Sequence, residues 1–334
     1  MFSKKIGLDL GTSFLRFCVQ DSKEIITERN ILIIEPNSQE IQYKGFEAYD
    51  IFGKENPEFK VVRPVKNGIL QENIFQKELV EDHIRKLLGK SRFIKPDFVV
   101  SVPLKLRESD RNSIHSLLED LNASSRSVLI PEIILSALGL NLPIQKSTGT
   151  AIVNLGAGTT EIAVLSLGGI IVGDSIQYGG EDLDNLIIES FGLSNIEIGK
   201  KTAENLKIKL GSAEVIDNTV FDEVKGKDKI TGKILSFPFK RDSIRLAILP
   251  GLEKIAESIK SVLEKLPPEL ASDIIDNGLV VTGGLSNLSH LNFYLSRYLN
   301  IPVYRLEKPS DSCIHGISYI INNSEVLDKN YFIK

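Results

Sequence analysis

Apolar positions along this chain follow two rhythms. Short, nearly unbroken apolar runs at 31–34, 98–102, 127–130, 151–155, 162–167, 170–176 and 279–282 have the length and β-branched character of buried strands. Between them lie stretches with apolar residues on one helical face. In 71–88 these are Ile74, Phe75, Leu79, Ile84, Leu87 and Leu88; in 247–266 they are Leu249, Leu252, Ala256, Ile259, Leu263 and Leu266, ended by Pro267-Pro268. Further helices are predicted over 46–52, 107–121, 131–139 and near 311–322, with two more starting at 179–184 and around 200–207. Strands alternating with helices predict an α/β chain.

The loops joining the strands say more than the strands do. Ile6-Gly7-Leu8-Asp9-Leu10-Gly11-Thr12-Ser13 opens a strand–turn–strand unit over Lys5 to Val19. A second copy runs from Ala151 to Leu167, its turn written Gly156-Ala157-Gly158-Thr159-Thr160. Glycines let backbone approach a ligand, and consecutive N–H groups in such turns form an anion-binding concavity. Glycine hairpins also occur without ligands, so one copy alone decides little. Two copies about half a chain apart predict two related lobes offering phosphate loops to a shared cleft. A third glycine pair, Gly283-Gly284, follows the strand at 279–282.

Composition bounds the reading. The 334 residues, 42% hydrophobic, suffice for two full cores. A net charge of −4 without charge blocks argues against nucleic acid as a partner. Cys18 and Cys313 lack metal spacing, fit a reducing cytosol, and are expected to pack as small apolar side chains. No apolar run reaches the ~18 residues of a membrane span, so neither a span nor export is expected.

With these motifs in place, the chain resembles the bacterial actin MreB family, within the actin and heat-shock-chaperone ATPase superfamily. The likeness runs nearly end to end. IGLDLGTS is similar to the family's first phosphate loop and GFEAYDIFGK to its small-lobe helix. VVRPVKNGIL, AVLSLGGIIV, GKKTAENLKIKLGSA and LPPELASDIIDNGLVVTGGLSNL have close counterparts there. The resemblance implies a two-lobed actin-like ATPase fold, each lobe a mixed sheet flanked by helices and carrying a smaller inserted subdomain. Lobe I is expected over 1–143 plus 311–334, with its insertion at about 30–61. Lobe II is expected over 144–310, with its insertion at about 185–242.

The resemblance also assigns roles. Gly11, Thr12, Ser13 and Gly156, Ala157, Gly158, Thr159, Thr160 would clasp the β- and γ-phosphates of ATP or ADP. Gly283 and Gly284 would line the nucleotide, and Glu204 and Lys207 would lie around its ribose and adenine. Asp9 would hold Mg²⁺ through its water shell, since that ion keeps most of its waters. Glu132 stands where the family carries the group orienting the attacking water, although an acid in a first helical turn also suits the helix dipole. Asn154 replaces the family's usual aspartate, which implies slow hydrolysis. Phe93 and Ile94, among Lys90, Arg92 and Lys95, would dip into a membrane at the inner face of the cell; they would alternatively fold back on the core. The implied function is an ATP-dependent filament protein, cytoplasmic and peripheral to the membrane, controlling cell shape or movement. Its expected partners are itself, the membrane, and other MreB paralogues or membrane adaptors. Two rivals stay open at this point: a nucleotide-locked scaffold with little turnover, and a small-molecule phosphotransferase on the same fold.

Overall fold

A computed structural model describes residues 4–55, 57–89, 95–215 and 221–323. The chain opens with β1 (Lys5–Leu10), β2 (Phe14–Val19) and β3 (Ile25–Arg29), an antiparallel meander. An inserted unit follows, in which β4 (Leu32–Ile34) pairs with β5 (Ile41–Lys44) and with β6 (Lys60–Val62), capped by α1 (Gly45–Ile51). A two-residue Asn67-Gly68 turn joins β7 (Val65–Lys66) to β8 (Ile69–Leu70). Both turn residues have positive φ, 50° and 72°, as a tight hairpin demands. Then come α2 (Asn73–Leu88), β9 (Asp97–Val102), α3 (Glu108–Asp120), β10 (Val128–Pro131) and α4 (Glu132–Gly139).

The pattern then repeats. A second meander comprises β11 (Thr150–Leu155), β12 (Thr160–Ser166) and β13 (Gly169–Ile176). After α5 (Gly180–Leu193), a second insertion holds β14 (Ile196–Glu197), α6 (Lys200–Leu210), β15 (Phe221–Asp228) and β16 (Ile234–Lys240). The chain returns through α7 (Asp242–Leu263), α8 (Pro268–Asn277), β17 (Leu279–Thr282), α9 (Leu291–Leu299), β18 (Val303–Arg305) and α10 (Ser312–Asn322).

The two large sheets share one plan, β10-β9-β1-β2-β3 and β18-β17-β11-β12-β13. In each, a meander's first strand pairs in parallel with a later strand, Ile6 with Phe98 and Val153 with Val281. Each sheet has its own core. Around the first are Leu8, Phe17, Leu79 and Leu117; around the second are Val153, Leu183, Leu252 and Ile259. A third core joins them: Val99 and Ile130 of one sheet and Ile152 and Ala163 of the other meet on Ile133, Ile134, Ile314 and Ile317 of α4 and α10.

That joint is built on glycine. A Cβ at Gly316 would stand 1.8 Å from the Leu135 carbonyl oxygen, and one at Gly139 would stand 1.9 Å from that of Ser312. No side-chain rotation relieves a clash with backbone, so α4 and α10 approach closely only because both positions lack a side chain.

Some elements escape the apolar pattern, and one predicted helix starts earlier than it suggests. β3 is half-buried and its last three residues, Thr27, Glu28 and Arg29, are polar, so it carries only a two-residue apolar run. Pro268 begins α8 instead of ending the helical region, because proline at N1 gives up only an unpaired N–H. The start of α7, five residues earlier than its apolar face suggests, is held by the Arg245–Asp242 ion pair at 2.6 Å.

Replacing Gly316 by Ala should cost about 3 kcal/mol or more, at the upper end of overpacking penalties. Gly199→Ser, at an open N-cap, should change stability by less than about 0.5 kcal/mol. Urea midpoints of the two variants check this; equal midpoints would show that the joint yields.

Candidate functional site

The floor of the cleft is acidic. Asp9 is the penultimate residue of β1, with 3% of its surface exposed; Ser101 Oγ donates to its Oδ1 at 2.7 Å, and Arg16, its partner on β2, lies 3.4 Å from Oδ2. Arg16 also reaches Asp311 at 3.3 Å, just before α10. Glu132 begins α4 and faces the same floor, with ligand atoms of Asp9, Glu132 and Cys313 all within 4.8 Å of one another. Burial, then the charge of Asp9, lifts Glu132 to about 7, while the Asn154 amide and Arg16 pull the other way. Cys313 was expected to be inert packing. It instead hydrogen-bonds to Asp9, and burial pushes its thiol well up, so it acts there as a neutral donor. No sequence spacing marks it; only the return of α10 brings it to β1.

Asn154 is 3% exposed and lies between β12 and β17, opposite Glu161 on one side and Thr282 on the other. Gly283 closes over it: with φ +85°, a Cβ there would meet Asn154 Oδ1 at 2.4 Å. Gly284 is open, with nothing within 4 Å of a Cβ.

The two phosphate-type loops meet above this floor. A Cβ at Gly158 would stand 2.8 Å from Thr12 Oγ1 and 2.8 Å from the Asn67 Cα. The Gly68 N–H donates to Thr12 Oγ1 at 3.1 Å. The β7–β8 turn is thus a third tip in the site; its Asn-Gly pair was the available signal in the sequence. Gly11 and Ser13 are fixed by Asn30, whose Nδ2 donates to the Gly11 carbonyl at 2.9 Å and whose N–H donates to the Ser13 carbonyl at 3.1 Å. Behind the second loop, Gly180 and Glu181 donate their N–H groups to the carbonyls of Gly156 and Ala157 at 3.0 and 2.8 Å. Thr159 is buried at the tip. The Thr160 hydroxyl instead points back, donating to the Tyr178 carbonyl at 2.9 Å.

Glu204 and Lys207 lie on α6, one turn apart. Lys207 Nζ donates to the Gly180 carbonyl at 2.5 Å and pairs with Asp184 at 2.8 Å, tying α6 to the second loop. Glu204 reaches across the cleft: Tyr49 OH donates to it at 2.7 Å, and Arg29 lies at 3.3 Å. Arg29 also stacks 3.7 Å from the Tyr49 ring centroid, and Lys201 Nζ donates to the Tyr49 carbonyl at 2.7 Å. Arg63 pairs with Glu181 nearby. The two insertions are therefore clasped over the cleft, a feature no single-residue motif announces. Phe93 and Ile94 lie outside the described residues, and among those described no helix is long and apolar enough to cross a membrane.

Hard oxygen donors beside the Arg16 guanidinium fit Mg²⁺ with its water shell. Asp9 would hold that shell, with Glu132 and the Asn154 amide oxygen beside it.

Comparisons with known proteins bear on the family and the fold. The model of the family described as MreB/Mbl protein matches residues 3–329. The cell shape-determining protein Mbl of Bacillus subtilis is 29% identical over 332 residues, covering 98% of this chain and 99% of Mbl. MreB of Escherichia coli K12 is 31% identical over 327 residues, covering 95% of this chain and 92% of MreB. Among solved structures, MreB5 of Spiroplasma citri bound to AMPPNP matches with a TM-score of 0.91 at 26% identity, covering 99% of this chain and 98% of that one. The MamK double helical filament shares the fold, with a TM-score of 0.79 at 17% identity over 96% of this chain and 98% of that one. The actin-like fold expected from the motifs is the fold observed.

Glu161, at 0% exposure, is raised to about 8 by burial and then by the charge of Glu132, against the N–H groups of Leu104 and Ile133. The native state therefore keeps a proton that the unfolded chain releases. Between about pH 5 and pH 8, stability should fall as pH rises through that window. In Glu161→Gln the urea midpoint should depend less steeply on pH than in the parent; parallel pH curves would refute the assignment.

Proposed function

This chain belongs to the MreB/Mbl protein family, and on that footing we propose that it is an ATP-binding bacterial actin-like cytoskeletal protein that assembles into membrane-associated filaments and hydrolyses ATP slowly. The observation that carries this reading is the meeting of both glycine loops, at Thr12 and Gly158, over a floor of Asp9, Glu132 and Asn154. In mechanism, the backbone N–H groups of 11–13 and 157–160 bind the β- and γ-phosphates from opposite sides, while the Gly156 N–H closes the hairpin by donating to the Thr159 carbonyl at 2.8 Å. Glu204 and Lys207 meet the nucleoside end, and Gly283 and Gly284 let backbone lie against it. Mg²⁺, when bound, neutralises phosphate charge. Glu132 orients a water and accepts its proton; a raised carboxyl suits that task near neutral pH. Lobe I (1–143 with 311–334) and lobe II (144–310) turn on the α4–α10 joint, and the clasp of Glu204 with Tyr49 and Arg29 holds them shut. Closure on one ligand touching both lobes is what a neighbouring subunit would read.

Asn154 sets the rate in this reading. An amide cannot take a proton from water, and positioned acid–base groups contribute typically about 10²–10⁴-fold. A nucleotide-locked scaffold with almost no turnover is the second reading, and the same Asn154 favours it. Head-to-tail contacts give open strands, so Mg-ATP should pellet the protein on ultracentrifugation. Asn154→Asp should raise phosphate release from assembled protein about tenfold or more. An unchanged rate removes Asn154 as the brake, and protein that stays monomeric at all concentrations sinks the filament reading.

Membrane contact rests on Phe93 and Ile94, which bury too little for monomeric attachment at about 1.5–3 kcal/mol each. A filament multiplies that by avidity, placing the protein at the inner face of the cell membrane, alone or with paralogues or adaptors. Replacing both residues by Ser should leave filaments assembled yet unable to float with anionic vesicles. Flotation equal to the parent would place the anchor elsewhere.

A further inference from the structure

Glu161 is the one acid of this floor that the mechanism above leaves idle. It follows Thr160 on β12 and lies opposite Asn154 in the strand pair, so the two side chains share a face of the hairpin. None of its surface is exposed. The Leu104 N–H donates to Oε1 at 2.7 Å, while Oε2 has no hydrogen-bond partner among the described residues. An acid placed there without a full set of partners costs several kcal/mol against an apolar side chain of its size. Packing alone does not call for it.

Its neighbours suggest what it is for. Leu104 follows β9, the strand beside β10, and β10 runs directly into Glu132. The Ile133 N–H, in the first turn of α4, also faces the Glu161 carboxyl. Glu161 therefore reaches from the second phosphate hairpin to two backbone segments of the other sheet's side, and one of them carries Glu132. Asn154 bears on Glu132 from the same hairpin.

We propose that Glu161 is a positioning residue for Glu132: by accepting from the Leu104 N–H and facing the start of α4, it fixes the attacking water's acceptor relative to the second phosphate loop. The inference rests on Glu132 acting on water, as proposed above. It adds a route by which rotation of the lobes alters catalysis, because Glu161 lies in one proposed lobe and Leu104 and Ile133 in the other. Glu161 is fully buried with its carboxyl turned to the Leu104 N–H, so it is not itself a phosphate contact.

The test uses the full chain with Glu161→Gln, which keeps an acceptor oxygen for Leu104, and Glu161→Met, which removes it at similar length. Phosphate release by the Met variant should fall about 100-fold, the scale of a small misplacement, with affinity for a fluorescent ATP analogue within about threefold of the parent. The Gln variant should retain most of the rate. In a Glu132→Gln background the Met substitution should add no further loss, because it acts through Glu132. A Met variant as fast as the parent, a parallel loss of affinity, or an additive loss would each overturn the proposal. Hydrogen exchange supplies a readout independent of turnover: the Leu104 and Ile133 amides should lose protection with Met and keep it with Gln. Should Met prevent folding, Glu161→Asp withdraws the carboxylate by one methylene and should also lose that protection. Unchanged protection in either would overturn the assignment. A parent that shows this protection pattern but releases no phosphate would sink the hydrolysis reading and leave the backbone anchoring in place.

Discussion

Buried acid beneath two glycine loops is the constraint around which this molecule is arranged. Asp9, Glu132 and Glu161 lie in or next to one floor, and carboxylates removed from water must be paired, hydrogen-bonded or neutralised. Each has a different solution. Asp9 has Arg16, Ser101 and Cys313; Glu161 has backbone N–H groups; Glu132 is only partly buried and takes the Asn154 amide. Almost every one of these partners comes from a different element. The floor exists only when both sheets and the α4–α10 joint are in place, which makes the site a reporter of how the lobes sit.

The joint explains why that report is sharp. Glycines at 139 and 316 bring two helices into backbone contact, and the apolar side chains around them come from both sheets. Packed interiors are poorly compressible. Motion of one sheet against the other is therefore expected to move α4 as a body and Glu132 with it. At the far end of the cleft, Glu204 joins Tyr49 and Arg29, so the two insertions are held by polar contacts that are half-buried. The arrangement combines a stiff joint at the base with a breakable clasp at the rim.

Much of this was legible in the sequence because glycine loops and strands are local. Gly7 through Ser13 and Gly156 through Thr160 announce backbone geometry within eight residues, and the repeated sheet plan follows from the repeated motif. The NG turn was equally local, yet its place in the site depends on Thr12, far away in the chain. What stayed hidden was tertiary. Cys313 reaches Asp9 only after α10 returns, the Thr160 hydroxyl turns away to Tyr178, and Glu204 is met by Tyr49 of the other insertion. Burial of Glu161 was invisible for a further reason: a polar residue in an apolar strand reads as its solvent face, whereas β12 is buried on both faces.

Asn154 takes on a second meaning in this setting. Considered alone it is a missing acid, and its consequence is a slower reaction. Considered with its neighbours it is also a donor: the amide N–H lowers the Glu132 carboxyl, which an aspartate could only raise. An aspartate at 154 would put a fourth carboxylate among Asp9, Glu132 and Glu161, leaving Arg16 and a bound cation to balance them. The amide stabilises the floor whether or not a cation is bound. A protein built this way would tolerate loss of Mg-nucleotide with less rearrangement of its base, and would hold Glu132 by hydrogen bonding in both conditions. On the proposed function, slower turnover and a steadier floor would be two consequences of the one amide at 154.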